Sequence, residues 1–388
     1  MSQTPTLLLL LKALEGRGAE RMVTTLACAF ADQNYQVHVL CLEDAKEMAL
    51  DPRVHYHVVS YNDPELSTEA AQAQAYQKVA NRIDHYVLTN IGSPDLILAN
   101  IYKLNWIMSY SKLPNIINVL HTALSEQFKG WLDYDRSECL AHLAQVYATH
   151  PCVCVSEGAR LDLLNLVANC KTATIYNPCD ADKITNAAIH DKNDIKKFGL
   201  IENGFIIHVA SFAAMKNHHD LIKAYSQSSK LLPLVLVGKG ELETEIKQLT
   251  IDLNIGDQVY FLGYQANPYP LMASAAFLVL SSKFEGFGYV IVEAQALKTP
   301  VISTDCPFGP RELLPSSQIV PVGDIEKLTE LLNKAMADPD SYQSPFNPNL
   351  QPKTVAYQYL NFAKTCFNSL MIASAADQLN KQLLATKI

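Results

Sequence analysis

The chain has 388 residues, 49% hydrophobic and 18% charged, with a formal net charge of −8. That length favours two domains over one core, the composition argues against disorder, and the acidic balance argues against a general grip on nucleic acid, which needs a dense basic surface. Nine cysteines without an even framework read as reduced thiols of a cytoplasmic protein.

Residues 6–11 hold five consecutive leucines. Such continuous apolarity suits a parallel strand covered on both faces. With no basic start, no small-residue cleavage site and too little length to span a bilayer, the run reads as a first strand. No other run is long enough to span, so any membrane contact is expected from the side. The glycine loop Glu15-Gly16-Arg17-Gly18-Ala19-Glu20 then opens a helical pattern through Met22, Val23, Leu26, Ala27 and Phe30. Strands follow at 35–41 and 54–59, a long polar helix at 65–89, and strands at 95–99 and 116–120, the last ending at His121. A helix at 135–147, a strand at 152–155, a helix at 159–167 opened by Ser156-Glu157-Gly158, and a short strand at 172–176 lead to Asn177-Pro178. Alternation puts Cys152 and Cys154 on one strand face, which favours buried structural thiols over a metal site.

The more polar stretch 187–203 reads as a domain junction, after which the pattern restarts. Strands are expected at 205–212, 234–237, 258–262, 275–280 and 301–303, with helices at 217–228, 240–253, 268–273 and 323–337. A proline-rich loop at 344–352, a helix at 354–370 and a polar helical tail to 388 complete the chain. Strand and helix alternate throughout, so the class is α/β with parallel sheets. The domains are expected at 1–190 and 200–345.

One turn stands out. The apolar run 275–280 leads into Lys283-Phe284-Glu285-Gly286-Phe287-Gly288-Tyr289, and Glu293-Ala294-Gln295-Ala296-Leu297 reads as helix. A strand thus ends in a glycine-bearing turn that opens a helix, with two carboxylates eight positions apart. Ligands of open α/β sheets bind outside the carboxyl ends of the strands, and helix N-termini offer free N–H groups to anions. Taken alone, Glu285 is an acid favoured by the helix dipole and Glu293 a solvent-facing helix residue. Lys216 alone is an exposed lysine, His121 alone a structural histidine, and Gly16 and Gly18 alone serve a tight βα turn.

The ordered set of motifs resembles family GT4 of the retaining glycosyltransferases, which have the GT-B fold of two Rossmann-like parallel-sheet domains. Glu285-Gly286-Phe287-Gly288 with Glu293 is similar to the family's E-x7-E motif. Gly16-Arg17-Gly18 resembles its N-terminal glycine loop, while Ser156-Glu157-Gly158 and Asn177-Pro178-Cys179-Asp180 resemble its S-E-G and N-P-x-D stretches. Val209-Ala210-Ser211-Phe212 through Lys216-Asn217-His218 resembles its phosphate-binding segment. Val237-Gly238-Lys239-Gly240 and Phe261-Leu262-Gly263-Tyr264 fall where the family holds the nucleoside, and Thr299-Pro300-Val301-Ile302-Ser303 closes the set. The run 306–314 further resembles bacterial members that build surface polysaccharide and lipopolysaccharide.

The resemblance implies transfer of a hexose or N-acetylhexosamine, with retention, from a nucleotide diphosphate sugar, UDP favoured, to a lipid-linked or lipopolysaccharide or capsule glycan. The nucleotide sugar is the co-substrate, and no cofactor or metal is implied. Glu285 would accept from the sugar hydroxyls and Glu293 from the ribose, since an ionised carboxylate only accepts. Lys216 and the amides of Gly286, Phe287 and Gly288 would meet the departing diphosphate. Gly16, Arg17 and Gly18 would bring the first domain to the donor, and His121 would contact its sugar. Residues 122–131 would border the acceptor, with Phe128, Trp131 and Tyr134 as stacking, lipid-facing or core side chains. The expected setting is cytoplasmic, with peripheral contact at the inner face of the inner membrane. Helices in 350–388 would cross back to the first domain.

One departure matters: the family often carries an arginine where this chain has Ser211, which supplies no charge. Either Lys216 carries more of the diphosphate, or Arg17 or Arg311 substitutes. The same departure favours a competing reading, a non-catalytic nucleotide-sugar-binding protein. Another GT-B enzyme, such as an epimerase, is a third.

Overall fold

A computed structural model of the protein describes residues 4–16, 18–61, 68–190 and 194–367. It divides into two compact units, one holding the residues up to Cys179 together with those from Asn349 onward, the other running from Asp180 to Pro348.

The first unit is built on a parallel sheet of β1 (Thr6–Leu11), β2 (Gln36–Cys41), β3 (Val54–Val58), β4 (Leu96–Asn100), β5 (Ile116–Leu120), β6 (Cys152–Cys154) and β7 (Thr172–Thr174), in the order β3-β2-β1-β4-β5-β6-β7. The leucines of β1 are shielded from water because the strand is central, Leu9 lying between Val39 and Leu98, and covered on both faces. The thiols of Cys152 and Cys154 are fully buried. Among the described residues no three metal-ligating side chains converge.

The second unit has β8 (Ile206–Val209), β9 (Leu234–Val237), β10 (Val259–Phe261), β11 (Phe277–Leu280), β12 (Val301–Thr304) and β13 (Ile319–Val320). They form a parallel sheet in the order β10-β9-β8-β11-β12-β13. In each sheet the chain first builds outward on one side of a starting strand and then returns to the other side. The reversal opens a crevice at the carboxyl ends of β1 and β4 in the first unit, and of β8 and β11 in the second.

Two expectations are corrected. The polar stretch 187–203 is not the junction. The helix Ala181–His190 belongs to the second unit, where it packs on the helices Tyr269–Ala273 and Tyr289–Ala296 and its Ala187 carbonyl accepts from the Asn267 amide at 3.0 Å. Asp180 caps it, accepting from the Lys183 amide. The helix after β11 begins at Tyr289, four residues before Glu293. Residues 102–108 and 124–134, assigned to no element from the sequence, contain the short helices Tyr102–Met108, Leu124–Gln127 and Lys129–Tyr134. The first residues of the helix expected from 65, and the tail beyond 367, lie outside the described residues.

The helix Pro352–Cys366 packs on the helix Gly18–Ala31 of the first unit and buries Val355, Tyr359 and Leu360. The Tyr359 hydroxyl is buried with no hydrogen-bond partner among the described residues. An unpartnered buried hydroxyl costs free energy while its ring contributes packing. Tyr359→Phe is therefore expected to raise stability by about 1 kcal/mol, and Tyr359→Ala to lower it by about 3–5 kcal/mol. Chemical denaturation of the full chain measures both, and a loss on Tyr359→Phe would show that the hydroxyl has a partner in solution.

Candidate active site

In the second unit, two loops meet at the β8/β11 crevice. After β8 the chain makes a one-turn 3-10 helix, Ala214–Lys216, and passes through Asn217 in the left-handed region, φ 53°. After β11 it enters the turn that carries Glu285. The loops are stitched together: the Lys283 amide donates to the Met215 carbonyl at 2.8 Å and Ser281 Oγ to the Lys216 carbonyl at 2.9 Å. That stitching brings Lys216 Nζ to 2.6 Å from Glu285 Oε1. Ser282 Oγ donates to the same oxygen at 2.6 Å. The two charged side chains are only 19% and 10% exposed. A pair so removed from water adds little net stability, but losing one partner strands the other charge.

Glycines let the backbone pass closely here. Gly288 caps the helix Tyr289–Ala296 at φ 88°. A Cβ on Gly309 would lie 2.1 Å from the Phe287 carbonyl oxygen, so the segment after β12 runs directly against the turn and the Glu285 amide donates to Pro307. Glu293 does not face solvent. It lies mid-helix, 3% exposed, and accepts from the Tyr269 hydroxyl at 3.1 Å. Nearby, Gly238 donates its amide to the Gly263 carbonyl, and a Cβ on Gly238 would sit 1.9 Å from the Ala210 oxygen. Tyr264 is an exposed ring with Lys239 Nζ 5.1 Å from its centroid. Ser211 is exposed. Arg311, expected as a substitute cation, is itself exposed and paired with Asp305.

Two neutral imidazoles lie behind Lys216. His208 Nδ1 donates to the Val279 carbonyl at 2.8 Å, and His218 stacks on Phe212 with ring centres 4.3 Å apart. Burial pushes His208 down to about 4 and His218 to about 2, with the Lys216 charge adding in the same direction.

The first unit presents Gly16, at φ 94° with open space around it, and Gly18 at the start of a helix; Arg17 lies outside the described residues. After β5, His121 Nε2 lies 3.0 Å from Asn100 Oδ1. The Asn100 amide nitrogen donates to the Leu10 and Leu98 carbonyls, so its oxygen accepts and His121 Nε2 is the donor. Burial lowers the His121 pKa to about 4, which leaves Nδ1 of the neutral ring as an acceptor. His121 lines a cavity of about 260 Å³ with Ile101, Tyr102, Lys103, Thr122 and Gln127. Ile101 holds φ 68°, ψ 151°, a region nearly closed to β-branched residues and worth roughly 1–3 kcal/mol of strain.

Ser282, Tyr269, Asn100 and Ile101 were not singled out from sequence. Ser282 and Asn100 had a signal, each a polar residue closing an apolar strand run. Tyr269 and the Ile101 backbone had none. The S-E-G stretch does local work: Ser156 caps its helix, and Glu157 binds Arg160 and Thr174.

Residues 16–183 match the family model described as Glycosyltransferase Family 4, and residues 191–348 the one described as Glycosyl transferases group 1. The chain is a family 4 glycosyltransferase. Over 376 residues this transferase is 23% identical to the N-acetylgalactosamine-N,N'-diacetylbacillosaminyl-diphospho-undecaprenol 4-alpha-N-acetylgalactosaminyltransferase of Campylobacter jejuni, covering 92% of this chain and 97% of that enzyme. It is 28% identical over 193 residues to the lipopolysaccharide 1,6-galactosyltransferase of Escherichia coli, covering 47% of this chain and 51% of that one. Among solved structures, Anabaena HepE in complex with UDP-glucose is similar with a TM-score of 0.68 at 20% identity, covering 98% of the transferase and 99% of that chain. The likeness is one of fold, and the fold is GT-B.

Two outcomes are expected of the transferase. Lys216→Met should cost about 3–5 kcal/mol by stranding the Glu285 carboxylate. Adding Glu285→Gln should recover part of that, with a coupling of about 0.5–3 kcal/mol in a urea double-mutant cycle; zero coupling would mean the pair does not form in solution. The second outcome concerns pH. Unfolded, His208 and His218 protonate near 6.5, but folded they resist well below that. Unfolding therefore takes up protons in this window, and stability falls as pH drops from about 6.5 towards 4. The urea midpoint should be lower at pH 5 than at pH 7, and His218→Phe, which keeps a ring on Phe212, should make the fall shallower. An unchanged slope would contradict the assignment.

Proposed function

We propose that the transferase moves a hexose or N-acetylhexosamine, with retention, from a UDP-sugar to a lipid-linked or lipopolysaccharide-type glycan. The observation that carries this reading is the Lys216–Glu285 pair with Ser282 at the β8/β11 crevice. Before ligand arrives, Glu285 balances the lysine. A diphosphate brings its own negative charge, so Lys216 transfers to it and Glu285 is released to accept from sugar hydroxyls. Glu293, turned inward beside Tyr269, accepts from the ribose. Gly238, Gly263 and the exposed Tyr264 ring receive the base. In the first unit, Gly16, Gly18 and His121 Nδ1 offer neutral groups fitted to a polyol.

In the reaction the bond from the anomeric carbon to the diphosphate breaks, and a bond to the acceptor oxygen forms on the same face. The acceptor's proton passes to the leaving phosphate, and UDP departs. Lys216 and the amides opening the helix Tyr289–Ala296 stabilise the departing charge, so we read the reaction as needing no metal. Uridine and a glycolipid acceptor are supported by the UDP-glucose bound to Anabaena HepE and by the undecaprenol-linked substrate in the Campylobacter jejuni enzyme's name. No helix among the described residues is long and apolar enough to cross a membrane. We place the work at the cytoplasmic membrane face by peripheral contact.

The test is UDP release from a panel of UDP-hexoses and UDP-N-acetylhexosamines with lipid-linked acceptors. Lys216→Ala, Glu285→Ala and Glu293→Ala should each lower kcat/KM by about 100-fold or more while the circular dichroism spectrum is kept, and EDTA should not lower the wild-type rate. Full activity in all three variants would sink the site assignment.

A further inference from the structure

No step of the proposed reaction uses Tyr269. Its hydroxyl lies 3.1 Å from Glu293 Oε1, bridging 24 positions of sequence. An ionised carboxylate only accepts, so the phenol is the donor, and it adds a hydrogen bond without adding charge.

The backbone that carries Tyr269 is held at both ends. It lies in Asn267-Pro268-Tyr269-Pro270, where each proline fixes its own φ. The Tyr269 amide donates to Asn267 Oδ1 at 3.3 Å. The Asn267 amide nitrogen in turn donates to the Ala187 carbonyl in the helix Ala181–His190. At the far end of the helix Tyr269–Ala273, the Met272 carbonyl accepts from Thr299 Oγ1 at 2.9 Å. Thr299 is buried just past the helix that carries Glu293, and its own amide donates to the Ala294 carbonyl of that helix. Tyrosine and glutamate are thus mounted on one frame within the second unit.

What the frame fixes is an angle. The last torsion of a glutamate is soft, with broad two-fold wells, so a carboxylate without a directed donor spreads over many orientations. A vicinal diol placed against it loses contact in most of them. The Tyr269 hydrogen bond pins Oε1, and each carboxylate oxygen has two lone-pair directions, so Oε1 still accepts from a second donor. The two oxygens become a pre-set pair of acceptors, and pre-set groups lose less freedom when a ligand arrives. A phenol that only satisfied a buried carboxylate would support every nucleotide equally. A phenol that aims the carboxylate supports the diol alone.

We propose that Tyr269 is a positioning residue for Glu293, and that through it the site selects a ribonucleotide donor over a deoxyribonucleotide one. The proposal rests on the reading that Glu293 accepts from the donor's ribose. The experiment is titration calorimetry on the full-length chain with UDP and with 2′,3′-dideoxy-UDP, which lacks the diol.

The wild type should bind UDP about tenfold or more tightly than the dideoxy nucleotide, as hydrogen bonds to a charged acceptor allow. Tyr269→Phe should shrink that ratio to about threefold or less, weakening UDP while the dideoxy nucleotide stays within about twofold of its wild-type affinity. In a Glu293→Ala background the same substitution should leave the ratio unchanged, and a further fall there overturns the proposal. A wild-type ratio kept in Tyr269→Phe, or an equal loss for both nucleotides, also overturns it and leaves the ribose reading standing. Equal binding of the two nucleotides by the wild type, or no binding of UDP, overturns both. Should Tyr269→Phe fail to fold, an unchanged ratio in Asn267→Ala, which unties the Tyr269 backbone from the helix Ala181–His190, overturns the proposal equally.

Discussion

The second unit is organised around one demand: a lysine and a glutamate 69 residues apart must share a place mostly out of water. Meeting it takes a parallel sheet whose direction reverses between β8 and β11, so that the loops after both strands open into the same crevice. It also takes backbone ties between the loops, and glycine at 309 so that the segment after β12 can lie against the turn. The imidazoles behind the lysine remain uncharged, which spares it two further like charges. Each of these choices costs something locally. The pair itself returns little stability, so the arrangement is best understood as readiness for an anion.

The first unit meets a related demand by different means. Its crevice, between β1 and β4, has an open glycine loop on one side and a strained isoleucine on the other. The amide of Asn100 fixes the tautomer of His121, so this ring offers a lone pair instead of a proton. One unit therefore presents a charge, suited to an anion, and the other presents neutral hydrogen-bonding groups, suited to a polyol.

The fold class was legible because parallel strands buried on both faces announce themselves as unbroken apolar runs, as in β1 and β11. The short helices Tyr102–Met108 and Lys129–Tyr134 were not, since six or seven residues give too few turns for a 3.6-residue period to stand out. The helix Ala181–His190 was hidden by polar neighbours that blurred where one unit ends. At the site, Lys216, Glu285, Glu293 and His121 were named from motif order. Their partners Tyr269 and Asn100 come from other elements, and no local pattern ties them together. The backbone of Ile101 was invisible in principle, because an isoleucine is the residue least expected at positive φ.

The return of the helix Pro352–Cys366 to the first unit has a consequence for biosynthesis. The first unit is discontinuous: its last described helix is translated after the whole of the second. Domains usually mature in the order they emerge from the ribosome, but here the amino-terminal unit must wait. Until residue 366 is released, the apolar face of the helix Gly18–Ala31 that Pro352–Cys366 covers stays bare, while the second unit already has every strand it needs. The later-made half is thus the first to be complete.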